Sequence, residues 1–350
     1  MDAAAENLSE LAGQLARRRT ASARRRGLIL GVLAALLAVG FVVTLALGQS
    51  FTPLGDVWRV LMGENVPGAS FTVGRLRLPR AVLSVAAGLS FGMAGAAYQT
   101  MLRNSLASPD IIGISASASA AAVVGIVFFS LSGASVATLA VVVSLAVATL
   151  IYLLSFKGGV SGTRLILVGI GIAAMLESVI AHTLNQAADW NLQEAMRWLA
   201  GSVNGASWGR ILPVLIALPV FGGLLLSRSR DLEALRTGDD AAAALGVRVA
   251  STRAVVLVAA TALVAFATSA AGPVSFVAFL SAPIAARFVG RRGSLLVPAA
   301  VTGALLVLVA DYIGQFVLPS RYPVGVVTGA LGAPFLLYML VRSQLGGVKQ

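Results

Sequence analysis

The sequence predicts an all-α, polytopic membrane protein of about ten transmembrane helices, and three observations carry that prediction. Of the 350 residues, 58% are hydrophobic and only 11% charged, with a mean hydropathy of +0.90, whereas soluble globular domains are nearer one quarter charged. Several runs reach the roughly 18–20 apolar residues that cross about 30 Å of hydrocarbon. The basic residues fall in short stretches between those runs and are unevenly shared between the two sides.

The first 26 residues are polar and end in two arginine clusters, 17–19 and 24–26, directly before an apolar run at 27–47. That lead and that run are both too long for a cleaved signal peptide, so they predict an uncleaved first span behind a cytoplasmic tail. A polar, glycine-rich stretch follows at 48–80, with a short amphipathic piece at 56–62 expected on the outside. The next spans are expected at 80–100, 112–129, 136–154, 164–184, 211–226, 253–271, 274–289, 295–314 and 324–341. Both termini then lie in the cytoplasm. The expected organisation is a tail at 1–26, a permease domain at 27–342 with a cytoplasmic segment at 227–253, and a second tail at 343–350.

Charge tests this topology separately from hydropathy. Nineteen of the 26 basic residues, among them Lys157, Arg291, Arg292 and Lys349, fall on predicted cytoplasmic segments. Only Arg59, Arg75, Arg77, Arg80, Arg197, Arg210 and Arg321 fall outside. Loops rich in Lys and Arg stay in the cytoplasm, so an even number of spans is expected. An inverted repeat is also expected: RAVLSVAAGL from Arg80 and RAVVLVAATA from Arg253 agree at six of ten positions and begin spans of opposite direction, which pairs spans two to five with seven to ten.

Composition excludes several functions. There is no cysteine and one histidine, His182, which removes disulfides and zinc or haem sites built from those residues. The net charge of +12 is dispersed between apolar runs and forms no nucleic-acid face. No GxxxxGK[ST] occurs, so any ATP that drives the protein binds elsewhere. HExxH is missing too, and no pair of acidic residues falls within one apolar run, which argues against a membrane enzyme.

The polar insert at 227–253 is the other informative stretch. Leu232 and Leu235 stand three apart on one face of a short helix, and Gly238 interrupts the pattern. Asp239 or Asp240 is placed to cap a second short helix running to Ala244 and Leu245, with Gly246 to end it. The pair presents a small apolar face suited to docking. Within the spans, Gly88, Gly92 and Gly95 make a small face for close helix packing. Glu177 and Asp311 are ionisable groups in apolar runs, and such groups are costly enough to suggest function. Glu177 either lines a polar pathway or is a hydrogen-bonded structural group. Asp311 is expected to pair with Arg321 or another external base, and His182 to sit at the interface.

RLPRAVLSVAAGLSFGMAGAAYQTMLRNSLASPDIIGISASAS, from Arg77 to Ser119, resembles the FecCD-type permeases of bacterial ABC importers for ferric siderophores, haem and cobalamin. LAGSVNGASW, AGPVSF and YPVGVVTGALGAPFLL extend the resemblance over residues 70–342. It implies a multi-pass subunit of the bacterial plasma membrane, inner or sole, that binds no cofactor itself. It also implies a second permease subunit, separate ATPase subunits holding ATP and Mg, an extracytoplasmic substrate-binding protein, and surrounding lipid. LEALRTGDDAAAALGV resembles the family's coupling helices, which assigns Leu232, Leu235, Gly238, Asp239, Asp240, Ala244, Leu245 and Gly246 to the ATPase contact. By the same resemblance Arg77 and Arg80 dock the binding protein; Arg75 and Arg321 are expected beside them, and Gln99, Asn104, Glu177 and His182 are expected along the pathway.

Three departures refine the expectation. AFLSAPIAAR lacks the family's histidine, Arg321 replaces an acidic residue, and Ser105 replaces proline. They suit a dimer of two different permeases and favour a ferric siderophore over cobalamin, with a haem or cobalamin importer as the alternative within the family. A chelate also suits the composition. Bare ferric iron needs clustered oxygen ligands, which 14 acidic residues lying mostly in loops do not supply. A weakly binding tunnel of Gly, Ala, Ser and Met lets cargo leave. An ion-coupled secondary transporter, suggested by Glu177, Asp311 and the repeat, is the alternative.

Overall fold

The computed structural model describes residues 2–155, 162–290 and 293–347. Lys157, Arg291, Arg292, Lys349 and the last residues of the 343–350 tail lie outside the described residues. The chain forms α1 (Asp2–Ala46), α2 (Leu54–Leu61), a π-helical turn (Ser70–Arg77), α3 (Leu78–Leu102), α4 (Ile114–Phe129), α5 (Ala134–Ser155), α6 (Gly162–Asn185) and α7 (Asp189–Leu199). After these come α8 (Trp208–Ser227), α9 (Ser229–Leu235), α10 (Asp239–Ala244), α11 (Val249–Ala271), α12 (Val277–Val289), α13 (Leu296–Tyr312), a second π turn (Ile313–Val317) and α14 (Val324–Gly347). Among the described residues seven helical segments are long and apolar enough to cross a membrane, and three more apolar helices, Ile114–Phe129, Val277–Val289 and Val324–Tyr338, are shorter.

These ten apolar helices overlap the ten expected apolar runs, with differences at their ends. The polar tail does not break from the first span: α1 is one 45-residue helix. The second span starts earlier than expected, because the turn Ser70–Arg77 runs straight into α3. Spans three and eight are shorter than their apolar runs. Ile112 and Val274 belong to those runs, but they precede the helices and are buried at 0% and 2% exposure. Hydropathy does not distinguish apolar helix from apolar loop, and irregular backbone is tolerated at depth when protein surrounds it. The amphipathic α7 was not anticipated, although Asp189 in its first turn and Arg197 in its last suit the helix dipole.

Helix α3 is the centre of the bundle. In the segment Ser70–Leu102, 83% of the apolar window is buried, against 11% for α1 and for α6. The small face permits this. A methyl on Gly88 would stand 2.5 Å from the Ala304 Cα on α13, while Gly92 abuts Ala299 and Gly95 abuts Ala278 of α12. The Tyr98 hydroxyl meets Thr261 Oγ1 of α11 at 2.7 Å, so one buried polar contact is satisfied between core helices.

Polar ends hold the bundle together. Arg103, just past α3, and Arg253, near the start of α11, both reach Asp239. The two helices therefore run in opposite directions, as a pair of inverted segments requires. At the other end the motif stretches join through backbone: Ser202 N–H donates to the Ala271 carbonyl at 2.7 Å and Gly325 N–H to the Gly201 carbonyl at 3.0 Å. Gly201 (φ 62°) and Gly272 (φ 70°) supply the left-handed backbone this junction needs.

Candidate functional sites at the two ends and the open face

At the end where α3 begins, the four predicted docking arginines line one cavity of about 320 Å³. They are not equivalent. Arg77 donates from Nη1 to the carbonyls of Leu45 (2.9 Å) and Ala46 (3.0 Å) and from Nη2 to that of Ser50 (2.7 Å). It thereby satisfies carbonyls that the end of α1 leaves without helical partners. Arg80 makes a bidentate pair with Asp311, Nε to Oδ2 and Nη2 to Oδ1, both 2.7 Å. The sequence expects Asp311 to pair with Arg321 or another external base, and the base is Arg80. Close packing of α3 on α13 brings Arg80 level with Asp311, whereas Arg321 lies beyond the second π turn. Arg75 and Arg321 remain exposed at the cavity.

The α9–α10 segment sits at the opposite end, and here two expectations are corrected. Leu232 and Leu235 are buried, at 2% and 0% exposure, within the protein's own main core. They seat α9 on the bundle and present no docking face, because a seven-residue helix has no other apolar anchor. Neither Asp239 nor Asp240 caps α10; the N-cap position belongs to Gly238 at φ 116°. Asp239 instead pairs with Arg253 at 2.8 Å and with Arg103 at 3.6 Å. The Arg253 side chain is only 7% exposed, and a buried guanidinium needs its counter-charge more than a helix end needs a cap. Gly246 (φ 85°) does end α10. Its N–H bonds the Ala243 carbonyl at 2.9 Å and that of Val247 the Ala242 carbonyl at 3.0 Å, which is a Schellman motif. Asp240, Ala244, Leu245 and Gly246 face outward, with Leu245 72% exposed.

Helix α6 leaves an open face, and Glu177 on it lines a cavity of about 350 Å³. Asp110, Ser115 and Ser119 share that cavity and were missed, although they lie inside the ASPDIIGISASAS stretch. Asp110 accepts hydrogen bonds from the hydroxyls of Ser115 and Ser108. Burial pushes its carboxyl up from the ordinary range, and those two hydrogen bonds oppose the shift. The other predicted pathway residues are elsewhere. His182 contacts Gln186 at 2.9 Å nearer the end of α6. Gln99 Nε2 donates to the Phe279 carbonyl (2.9 Å), and Asn104 Oδ1 accepts from the Leu106 N–H (2.9 Å). Both line a third cavity, beside α9. Among the described residues no group of three His, Cys, Asp or Glu could hold a metal ion.

A helical bundle with a buried central helix, charged ends and an open polar-lined face has the form of a multi-pass membrane permease. Its fold matches a solved inward-facing metal-chelate type ABC transporter at a TM-score of 0.79, with 24% identity, covering 90% of this chain and 99% of that one. The model of the FecCD transport family matches residues 36–342. The chain is 35% identical over 291 residues to a ferric enterobactin transport system permease protein of Escherichia coli, covering 82% of this chain and 87% of that protein. It is 33% identical over 327 residues to an iron(3+)-hydroxamate import system permease protein of Bacillus subtilis, covering 90% and 97%. The chain belongs to the FecCD transport family, and it is a multi-pass protein of the bacterial plasma membrane.

Proposed function

We propose that this chain is one permease subunit of an ATP-driven importer that carries a ferric-siderophore chelate into the cytoplasm. The observation that carries the reading is the α9–α10 segment, seated by Leu232 and Leu235 while the 72% exposed Leu245 stands outward. That arrangement suits a groove on a separate ATPase subunit, which would hold ATP and Mg. Arg103 and Arg253, joined through Asp239, connect the segment to α3 and α11. The positive-inside asymmetry supports a cytoplasmic position for this end.

At the other end Arg75 and Arg321 would meet acidic residues of a binding protein, with Arg77 and Arg80 bracing the surface beneath them. The open face of α6, with Glu177, would line the pathway against a second permease. The relatives named for ferric enterobactin and iron(3+)-hydroxamate support a siderophore as cargo. The ion-coupled alternative is weakened, because Asp311 is already neutralised by Arg80.

The test is uptake of a radiolabelled ferric siderophore into proteoliposomes holding this chain with its partner subunits. Uptake should need ATP on the α9–α10 side and persist when ion gradients are collapsed. Uptake driven by an imposed ion gradient, with no ATPase present, would refute the proposal.

A further inference from the structure

The cavity beside α9 is a basic site whose anion-binding potential the transport reading does not use. It has a volume of about 490 Å³ and lies between the end of α3, α12 and α14. Arg103, Arg236 and Arg287 line it together with Gln99, Asn104 and Ser105, and its described lining includes no acidic side chain. Two of the guanidiniums are partly balanced from outside the cavity, Arg103 by Asp239 at 3.6 Å and Arg236 by Glu233 at 3.2 Å. Arg287 is an exposed side chain in the last turn of α12.

Backbone geometry adds an independent reason to regard Arg103 as selected for its side chain. Helix α3 ends in the same hydrogen-bonding pattern as α10: the Asn104 N–H bonds the Gln99 carbonyl at 3.1 Å and the Arg103 N–H bonds that of Thr100 at 3.3 Å. In α10 the left-handed position of that motif is Gly246; in α3 it is Arg103, at φ 52°. A side chain there is strained, and glycine or asparagine is favoured. Such strain persists where the surroundings or a function demand it.

We infer that this cavity is a binding site for a phosphate-class oxyanion. One bidentate guanidinium saturates a planar carboxylate, whereas a tetrahedral phosphate takes donors from several directions, as three arginines around one cavity can offer. Arg287 is followed in sequence by Phe288, which is 51% exposed. A phospholipid headgroup and a free phosphate would both satisfy the site.

Binding is tested on the purified full chain in uncharged detergent and in nanodiscs. Thermal stabilisation by inorganic phosphate is compared with chloride at matched ionic strength, and phosphatidylglycerol with phosphatidylcholine, with bound lipid counted by native mass spectrometry. At least one of the two phosphate probes should bind selectively. Arg103→Asn and Arg287→Gln should each weaken it about tenfold, the equivalent of one charge-assisted hydrogen bond. Arg103→Asn relieves the backbone strain but also removes the 3.6 Å contact to Asp239. Arg287→Gln, at an exposed position of α12, is therefore the discriminating variant: the unliganded chain should keep its stability while anion affinity falls about tenfold. A response to free phosphate alone assigns a soluble anion, and a response to phosphatidylglycerol alone assigns a headgroup. No preference for either probe, or parental affinity in both variants, would overturn the site.

Discussion

Removing the carboxylate of Asp311 should destabilise the protein more than almost any other single polar change. The pair with Arg80 is largely shielded, with side-chain exposures of 19% for Arg80 and 9% for Asp311, and both of its hydrogen bonds are 2.7 Å long. Asp311→Asn leaves a guanidinium with no counter-charge at a closely packed helix contact, and breaking one partner of a buried pair costs about 3–5 kcal/mol. Even the lower figure shifts the folded-to-unfolded ratio by more than about 100-fold. Replacing both partners with apolar side chains, Arg80→Met with Asp311→Leu, removes the charges together and should recover most of the loss, because a buried pair gains little over well-packed hydrocarbon. Equilibrium unfolding in mixed micelles, followed by tryptophan fluorescence, gives the four corners of this cycle. Asp311→Asn within about 1 kcal/mol of the parent, or a double variant as unstable as the sum of the two singles, would refute a buried, mutually compensating pair. If Arg80 serves only as a brace, the stable double variant also keeps its capture of the binding protein.

Two further outcomes separate seats from contact surfaces. Leu235→Glu should fail to fold stably, since removing a buried leucine alone costs about 2–5 kcal/mol, whereas Leu245→Glu should keep its stability to within about 0.5 kcal/mol and uncouple ATP hydrolysis from uptake; normal coupling in Leu245→Glu would remove this face from the ATPase contact. Arg75→Glu combined with Arg321→Glu should slow association with the loaded binding protein, most at low salt where screening is weakest; stopped-flow rates equal to the parent's would exclude both arginines from that surface.

Much of the fold was legible because hydropathy and helix periodicity are local. The apolar runs located the ten helices, and Gly88, Gly92 and Gly95 announced a close packing face that α12 and α13 do occupy. Gly246 announced the end of α10. Less of the sites was legible. Leu232 and Leu235 had the spacing of an apolar face, but spacing alone does not say whether that face turns inward or outward. Their burial in the main core is a fact about neighbouring helices. Asp239 had the position of a helix cap, and only the approach of Arg253 and Arg103 from distant parts of the chain diverts it.

By itself the sequence determined that this is a membrane protein, where its apolar helices lie and which family it resembles. These follow from composition, run length and charge, which each segment carries without its neighbours. Tertiary structure decided which charges are already spent. Arg77 on the end of α1 and Arg80 on Asp311 resemble Arg75 and Arg321 in sequence, yet the first two brace the protein from within and the last two face outward. The physical reason is distance. A guanidinium's role depends on what lies within about 3 Å of it, and for Arg80 that is a residue 231 positions away along the chain.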